Sequence, residues 1–552
     1  MTRNLLQRLT RGALGLAGAC ACLLAAGPAA AQQQPQQQQR QVEIHPYLQI
    51  EQVASTDFGG GETLTYTGVG GGLDASIQTR RVQVSIDYDY QHQFSWKRGE
   101  KDGDVQNGLA AARLEVVPNV LSLDAGAIAT RTHGDLLNPV PALRTDSNRN
   151  LADVYSVYGG PTLSTHAGPL SVGADYHAGY VKVNDHSDET APPGTPRIDR
   201  YDSSVVQQAE ASVGMDTKQS PVGWTVGAGW AREDMNRLKS KYDDKYVSGD
   251  VVVPLTPTFA VTGGGGYEKI KASQQDVLVD STGNPVTTSD GNLIGDPTKP
   301  RLLTYDQAGF IWDVGVIWRP SPRTELQVRG GRRYGSTTVT GSFEHKFNKD
   351  YAFSAYVYDN VSSFGRLLVA DLNGVPRNFQ MANAAQALTG FAGPGGCVFG
   401  AQPGTGTCFS DALQSVNNFN FRNRGVGILL SGGRGVWSFG IGAGYNNRHY
   451  IAPPTADFLL HGATEQSFTV DADVQRHFTR TSGIDFDAYA AWYDSGLRGE
   501  KSSYSTGLTA TYYRSLFLDR LQANLSAGVY NTSGQGLDST SGTLLVGLRY
   551  GF

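Results

Sequence analysis

The chain has 552 residues and a formal net charge of −5, and this mild acidity excludes a strongly basic nucleic-acid binder. Its mean hydropathy of −0.32 is typical of a water-soluble protein. The same value also results when residues alternate between lipid and a wet interior, because the two classes cancel in any average.

The N-terminus has the three parts of a secretory signal peptide. Arg3, Arg8 and Arg11 precede an apolar run over residues 13–26, which is too short to span a bilayer. Small residues follow and predict cleavage after Ala31, so residues 1–31 are interpreted as a signal peptide. Residues 32–41 are nearly all Gln, lack core-forming side chains, and predict a disordered leader.

The next signal is a long alternation of apolar and polar residues. From Val82 to Trp96 the even positions are apolar or aromatic apart from His92, and the odd positions are Gln, Ser or Asp. Strands of soluble proteins average about 5–6 residues. At about 3.3 Å per residue this stretch crosses the ~25 Å apolar band of an outer membrane even when it is tilted. The length of the alternation favours a transmembrane barrel over a sandwich.

The same pattern recurs to the end of the chain, often with aromatics at the strand ends and aliphatics between them, as membrane interfaces require. Tight turns alternate with mostly longer polar segments, which cover residues 132–151, 184–201, 272–303, 359–419, 446–463 and 532–542. Short periplasmic turns and long extracellular loops are the asymmetry of outer-membrane barrels. The sequence therefore predicts an all-β fold over residues 42–552, an antiparallel up-and-down barrel of about 22 strands. Two weak strands, near residues 239–253 and 335–347, set a range of 18–22.

The C-terminus repeats the alternation. Leu548, Tyr550 and Phe552 lie on one face of a last strand that ends in an aromatic residue. This ending is similar to the signal by which the barrel-insertion machinery recognises outer-membrane barrels, so that machinery is an expected partner. The expected location is the bacterial outer membrane, with its lipid and lipopolysaccharide as further partners.

Several segments in the first strands resemble one family. They are residues 64–67 (LTYT), 74–81 (DASIQTRR), 90–96 (YQHQFSW), 108–110 (GLA), 117–119 (VPN) and 129–131 (ATR). They resemble outer-membrane barrels associated with exopolysaccharide and PEP-CTERM (exosortase) gene clusters, related to the β-barrel porin 2 family. The resemblance is clearest over residues 42–135. It implies membership of an exopolysaccharide export or surface-assembly system, with polysaccharide-export components as partners, and it supplies no catalytic motif.

Charged residues at alternate strand positions are predicted to line the lumen. The candidates are Asp87, Asp89, Arg329, Arg333, Asp471, Asp473, Asp485 and Asp487. Two interpretations stay open. In one, these charges select what passes through a polar conduit; in the other, opposed charges pair and hold the wall together.

The segment 359–419 contains the only two Cys that remain after signal cleavage, Cys397 and Cys408. In an oxidising compartment such a close pair predicts a local disulfide rather than a metal site. As a long extracellular loop, the segment either folds into the barrel mouth as a constriction or plug, which we favour, or covers the rim.

The hypothesis for function is a pore that passes a polar solute through a charged lumen, as part of an exopolysaccharide system. The alternative is a plugged barrel that acts as a surface scaffold or assembly partner. An outer-membrane hydrolase, with His92 as its obvious candidate, is disfavoured because the ten His are scattered without a G-x-S-x-G or H-E-x-x-H motif. No enzyme activity, cofactor or metal is expected.

Overall fold

The computed structural model describes residues 41–59, 63–96, 102–133, 151–185, 200–288, 292–379, 396–414, 416–453, 462–497, 499–518, 520–534 and 538–552. The predicted signal peptide and almost all of the Gln-rich leader lie outside these residues. No helix in the described ranges is long and apolar enough to cross a membrane.

Twenty-two of the strands form one closed antiparallel sheet. They are β1 (Gln41–Asp57), β2 (Thr63–Gln78), β3 (Val82–Ser95), β4 (Gly103–Val117), β5 (Leu121–His133), β6 (Leu151–Ala167), β7 (Leu170–Asp185), β8 (Ser203–Met215), β9 (Gly223–Met235), β10 (Lys241–Thr256), β11 (Phe259–Gln274), β14 (Leu302–Ser321), β15 (Thr324–Arg333), β16 (Ser336–Lys346), β17 (Tyr351–Ser362), β20 (Asn420–Arg434), β21 (Trp437–Ile451), β22 (Thr464–Thr479), β23 (Ser482–Asp494), β24 (Ser503–Leu516), β25 (Leu521–Ser533) and β26 (Ser539–Gly551).

Each strand pairs with its neighbour in the chain, and β1 pairs with β26 to close the barrel, with Tyr47 opposite Gly551. Both weak strands of the sequence are present, as β10 and β16. The predicted 22-strand up-and-down barrel is therefore confirmed. A closed barrel has no sheet edge, so the backbone N–H and C=O groups of its strands are hydrogen-bonded within the sheet, as the lipid environment requires.

The remaining regular elements of the described residues lie in three connections. The short strands β12 (Asp276–Val277) and β13 (Gly295–Asp296) pair with each other in the connection between β11 and β14. The connection between β17 and β20 contains helix α1 (Phe364–Gly374), the paired strands β18 (Cys397–Phe399) and β19 (Gly406–Cys408), and helix α2 (Ser410–Leu413). A 3-10 turn, Arg237–Lys239, joins β9 to β10.

The outer surface carries the apolar residues of each alternation. Phe310 is 83% exposed, and Leu544 and Val546 are more than half exposed. Leu548, Tyr550 and Phe552 of the predicted insertion signal also point outward, and the last two rings pack edge to face at 5.3 Å. A surface this apolar is suited to lipid rather than to water.

Some predicted loop boundaries were wrong. Residues 446–451 were assigned to a loop but belong to β21, and residues 359–362 belong to β17. Residues 446–449 are Asn, Asn, Arg and His, and residues 359 and 360 are Asp and Asn, which sequence patterns assign to loops. They extend the wall beyond the apolar band at the end that carries the longer connections, which is the extracellular end in outer-membrane barrels.

Candidate functional site

The lumen of the barrel is lined by the polar face of the strand alternation. On β3, Asp87 and Asp89 are buried inside, while Tyr88 and Tyr90 are exposed on the outside. Gln49 of β1 donates a 3.0 Å hydrogen bond from Nε2 to Asp89 Oδ2. The structure thus places both carboxylates where the sequence predicted them.

The two predicted lumen arginines are paired along the wall. Arg329 Nη1 lies 2.5 Å from Asp250 Oδ1 and 3.0 Å from Asp313 Oδ1, so one guanidinium joins β10, β14 and β15. Arg333 Nε donates to Glu268 Oε1 of β11 at 2.8 Å. For these two residues the geometry is that of charges holding the wall together.

Four predicted lumen acids lie together on β22 and β23. Asp473 is directly opposite Asp487, and Asp485 is opposite Gln475. Asp471 faces the same way as Asp473, two residues earlier on its strand. In the described part of the chain, Asp473, Asp485 and Asp487 form no ion pair with Lys or Arg. This group is therefore the candidate for the residues that select a solute in a polar conduit.

The lumen is not empty, because the connection between β17 and β20 folds into it. We call residues 363–419 the insert. Its described residues contact β5–β10 on one side of the barrel and β20–β22 on the other, which only a segment inside the lumen can do. The segment predicted as a long extracellular loop therefore enters the barrel.

The insert starts at the extracellular end with a capped helix. Ser363 Oγ accepts a 3.3 Å hydrogen bond from the backbone N–H of Arg366, which begins α1. Ser363 also donates to Glu233 of β9, and Arg366 Nε lies 3.5 Å from the same carboxylate. The Arg366 guanidinium carbon stacks 3.4 Å from the ring centroid of Tyr242. These contacts fix the entry of the insert to β9 and β10.

The apolar face of α1 packs against an apolar patch on the inner wall. The insert contributes Phe364, Leu367, Leu368, Val369 and Leu372, and the wall contributes Leu109, Ile128, Val154, Val181 and Val206. Burying one such side chain contributes about 1.5–3 kcal/mol. Apolar residues that face a lumen have no role in a water-filled pore, so this patch exists to hold the insert.

The insert then reaches the opposite end of the barrel. Arg377 Nη2 lies 3.3 Å from Asp124 Oδ1 and 3.2 Å from the Tyr158 hydroxyl oxygen. The Arg377 carbonyl accepts hydrogen bonds from Ser85 Oγ at 2.9 Å and Gln78 Nε2 at 3.2 Å. Gln78 is the last residue of β2, next to a short turn, so the insert crosses from the extracellular to the periplasmic end.

A disulfide closes the hairpin of β18 and β19. Cys397 and Cys408 are bonded and directly opposite each other. The hairpin rests on Gly440 and Gly442 of β21, where a Cβ at either position would overlap Phe399 or the disulfide sulfurs. Its tip lies at the periplasmic end, where the Gly404 N–H donates to Ser431 Oγ at 2.8 Å.

The returning chain is held by a buried charge cluster at α2. Arg448 Nη2 lies 2.7 Å from Asp411 Oδ1, and Asn423 Nδ2 donates to Asp411 Oδ2 at 3.0 Å. Gln414 Nε2 donates to Glu465 Oε1 at 2.7 Å. The insert is therefore anchored at its entry, at its periplasmic turn and at its exit.

Sequence reasoning missed these anchor residues: Glu233, Arg366, Arg377, Asp411 and Arg448. One usable signal was a second apolar face on the early strands, where residues such as Val154 and Val181 point inward. Helix α1 lies within the segment 359–419, which was predicted as a long loop.

On the outer surface, His92 Nδ1 lies 2.8 Å from Asp104 Oδ1, and the Tyr90 hydroxyl donates to the same oxygen. This pair is exposed at the extracellular end of β3 and β4. Within the described ranges, no group of three or more His, Cys, Asp or Glu side chains is arranged to bind a metal ion.

No protein-family model and no curated protein sequence matches the chain. Among solved structures, the FrpB iron transporter from Neisseria meningitidis matches with 11% identity and a TM-score of 0.43, over 92% of this chain and 82% of its own. The ferric-catecholate import receptor Fiu from E. coli K12 matches with 10% identity and a TM-score of 0.42, over 92% and 81%.

The outer membrane protein opdK from Pseudomonas aeruginosa matches with 10% identity and a TM-score of 0.29, over 92% of this chain and 99% of its own. These values transfer no substrate or partner to this chain. The closed 22-strand barrel, apolar outside and polar within, is itself that of a bacterial outer-membrane protein, as predicted.

Proposed function

We propose that this protein is an outer-membrane transport barrel that its own insert keeps closed at rest. The observation that carries the proposal is the path of the insert, from Ser363 at the extracellular end to the contact of Arg377 with Gln78 at the periplasmic end. A barrel of this strand number encloses a lumen wide enough for a channel unless it is plugged.

The conduit is proposed to run beside or through the space that the insert fills. The inner face of β24 and β25 presents hydroxyl groups, including Ser505, Thr509, Thr511, Ser526 and Tyr530, several of which are linked by hydrogen bonds. Together with the acids of β22 and β23, these hydroxyl groups can hydrogen-bond a polar, hydroxyl-rich solute, which favours such a solute over an apolar one.

The finer proposal, which follows from the family resemblance, is that this solute is an exopolysaccharide on its way to the cell surface. An open variant allows a direct test. A soluble hexose polymer should block its current, whereas a polyethylene glycol of equal hydrodynamic radius should leave it unchanged. If the two polymers block the current equally, the protein is a general porin rather than a polysaccharide channel.

Deletion of the insert should open the lumen without disturbing the strand ladder. Ser362 pairs with Phe421 across the β17–β20 ladder, so the ends left by removal of residues 363–419 already lie side by side. A Gly-Ser-Gly-Ser linker can close them as a hairpin. In planar bilayers the wild-type protein should conduct rarely, and the deletion variant should conduct in large, lasting steps.

The heat-modifiable mobility of both proteins on gels verifies that each barrel has folded. A folded deletion variant that conducts no better than wild type would contradict transport through this lumen.

The second candidate is a permanently plugged barrel that serves as a scaffold of a surface-assembly complex. The apolar packing of α1 favours it, because a segment held by several buried Leu and Phe side chains opens rarely without a partner. It predicts that charge reversal in the lumen leaves transport unchanged, while shortening of the extracellular loops abolishes recovery of a partner.

A further inference from the structure

The barrel wall is lowered on one side at its extracellular end. β15 and β16 are joined by a tight turn at Tyr334–Gly335, and β14 pairs with β15 only from Trp312 onward. On the other side, the ladder between β16 and β17 covers only Gly341–Lys346. We call this opening the notch; the Tyr334–Gly335 turn is its floor, and residues 302–311 and 358–362 are its sides.

Side chains replace the missing backbone ladder on the β17 side. Arg422 holds both carboxylate oxygens of Asp359 at 2.8 Å, and Arg424 Nε lies 3.2 Å from Oδ2. Both guanidinium groups also donate to the Thr337 carbonyl of β16, at 3.2 and 3.4 Å. The single carboxylate of Asp359 thus faces two guanidinium groups, so the β17 side of the notch keeps a net positive charge.

A third arginine adds to this charge. Arg332 is exposed on the outer face of β15 and donates to the Gly335 carbonyl at 3.4 Å, while Arg424 contacts Ser336 and Thr337. The two guanidinium groups therefore contact successive residues of one turn. The Arg424 side chain is 48% exposed, which leaves donors for a further ligand.

Apolar side chains lie beside and below Arg332 on the outer face. Trp312 is directly opposite Arg332, and Phe310 is two residues farther toward the extracellular end. Val339 is opposite Gly330, on the membrane side. Phe310 and Trp312 of β14 are 83% and 52% exposed, and Val339 of β16 is 49% exposed. Exposed aromatic residues mark the interface between acyl chains and headgroups. Because Trp312 is opposite Arg332, the guanidinium groups lie at this interface, and Val339 lies on its acyl-chain side.

We propose that the notch binds the phosphorylated headgroup of an outer-leaflet glycolipid. Arg332 and Arg424 contact the phosphate, and the acyl chains lie on Trp312 and Val339. Guanidinium groups suit this role because their fixed donors match phosphate oxygens and remain charged. Cationic and apolar side chains meet at the membrane interface here, and a phosphorylated lipid presents both chemistries side by side.

The test is a titration of the purified full-length protein in neutral detergent with diphosphoryl lipid A, followed by native mass spectrometry. Dephosphorylated lipid A and inorganic phosphate form the other two arms. We expect Arg332→Gln to weaken binding of the diphosphoryl lipid at least tenfold. The double variant Arg332→Gln/Arg424→Gln should weaken it further, and dephosphorylated lipid should bind wild type at least tenfold more weakly.

The matched control is Arg514→Gln. Arg514 is also exposed on the outer face, two residues beyond the girdle residue Tyr512, but it lies at the periplasmic end. The affinity of the Arg514→Gln variant for the diphosphoryl lipid should stay within twofold of wild type. Among the described residues, the hydrogen bonding of Arg332 is limited to one bond to its own turn, so Arg332→Gln retains the fold even if the double variant does not.

Three results would overturn the proposal. The first is an unchanged affinity of Arg332→Gln, and the second is an equal loss of affinity in Arg514→Gln. The third is displacement of the lipid by low millimolar inorganic phosphate, which would make the notch a site for free anions.

Discussion

Arg448 of the wall and Asp411 of the insert form an ion pair at 2.7 Å in which the arginine side chain is fully buried. The same guanidinium donates to the Asp411 carbonyl, lies 3.5 Å from Glu465 Oε1 and stacks 4.6 Å from the Phe421 ring centroid. A charge withdrawn this far from water is tolerated only with partners, so the wall and the insert depend on each other here.

Replacing Arg448 by Gln should therefore release the end of the insert that contains α2. Breaking a buried pair by removal of one partner costs about 3–5 kcal/mol, because the other charge is left without compensation. The open probability in planar bilayers should rise by at least a hundredfold. Arg476→Gln is the control, since Arg476 stacks over Trp437 on the outer wall. Equal currents from the two variants would show that the Asp411 contact does not hold the lumen closed.

The close approach of the disulfide hairpin to β21 gives a second prediction. A methyl group at Gly442 overlaps the Cys397 sulfur, whereas at Gly444 it meets Thr469 Oγ1 at an ordinary 3.8 Å. Gly442→Ala should weaken docking of the insert by about 1–3 kcal/mol, the usual cost of overpacking. Gly444→Ala should behave as wild type. The measurement is the rate of limited proteolysis within the insert for folded protein in detergent.

The sequence predicted the wall far better than its contents. Alternation such as Asp87–Tyr88–Asp89–Tyr90 is local, and a closed barrel is the structure that satisfies its backbone in lipid. The path of the insert depends on contacts such as the one between Gln78 and Arg377, 299 residues apart, which no local pattern encodes. Arg448 was assigned to a loop because Asn446, Asn447 and His449 surround it, although Asn446 and Arg448 face the lumen and bind Asp411 of the insert.

Protonation of Asp371 gives a pH prediction. Burial raises the pKa of this carboxyl on α1 well above its usual range, and the nearby Asp411 raises it further. Among the described residues its buried Oδ2 has no hydrogen-bond partner. The docked insert therefore favours the neutral acid, while an undocked Asp ionises near pH 4.

Docking should be strongest below about pH 4 and should weaken as the pH rises toward the raised pKa, because the docked state binds the extra proton. Wild-type current should increase with pH over this window, and Asp371→Asn should remove the increase. Asp280→Asn is the control, since hydrogen bonds to the side chain and backbone of Thr282 and the backbone of Asn284 lower the pKa of exposed Asp280 to about 2. A flat wild-type profile would rule out this carboxyl as a determinant of closure.

The acids of β22 and β23 decide between the two interpretations of the lumen charges. Arg329 is bound by two carboxylates, so Arg329→Gln should lower the unfolding midpoint of the barrel in denaturant without changing ion preference. Asp473 and Asp487, in contrast, face each other across neighbouring strands. In the deletion variant that lacks the insert, Asp473→Asn/Asp487→Asn should shift the reversal potential in a salt gradient toward weaker cation preference. Asp104→Asn on the outer surface should leave that potential unchanged. The opposite result is a reversal potential that changes in Arg329→Gln but not in Asp473→Asn/Asp487→Asn. The acids of β22 and β23 would then be structural, and the residues that select ions would lie elsewhere on the wall.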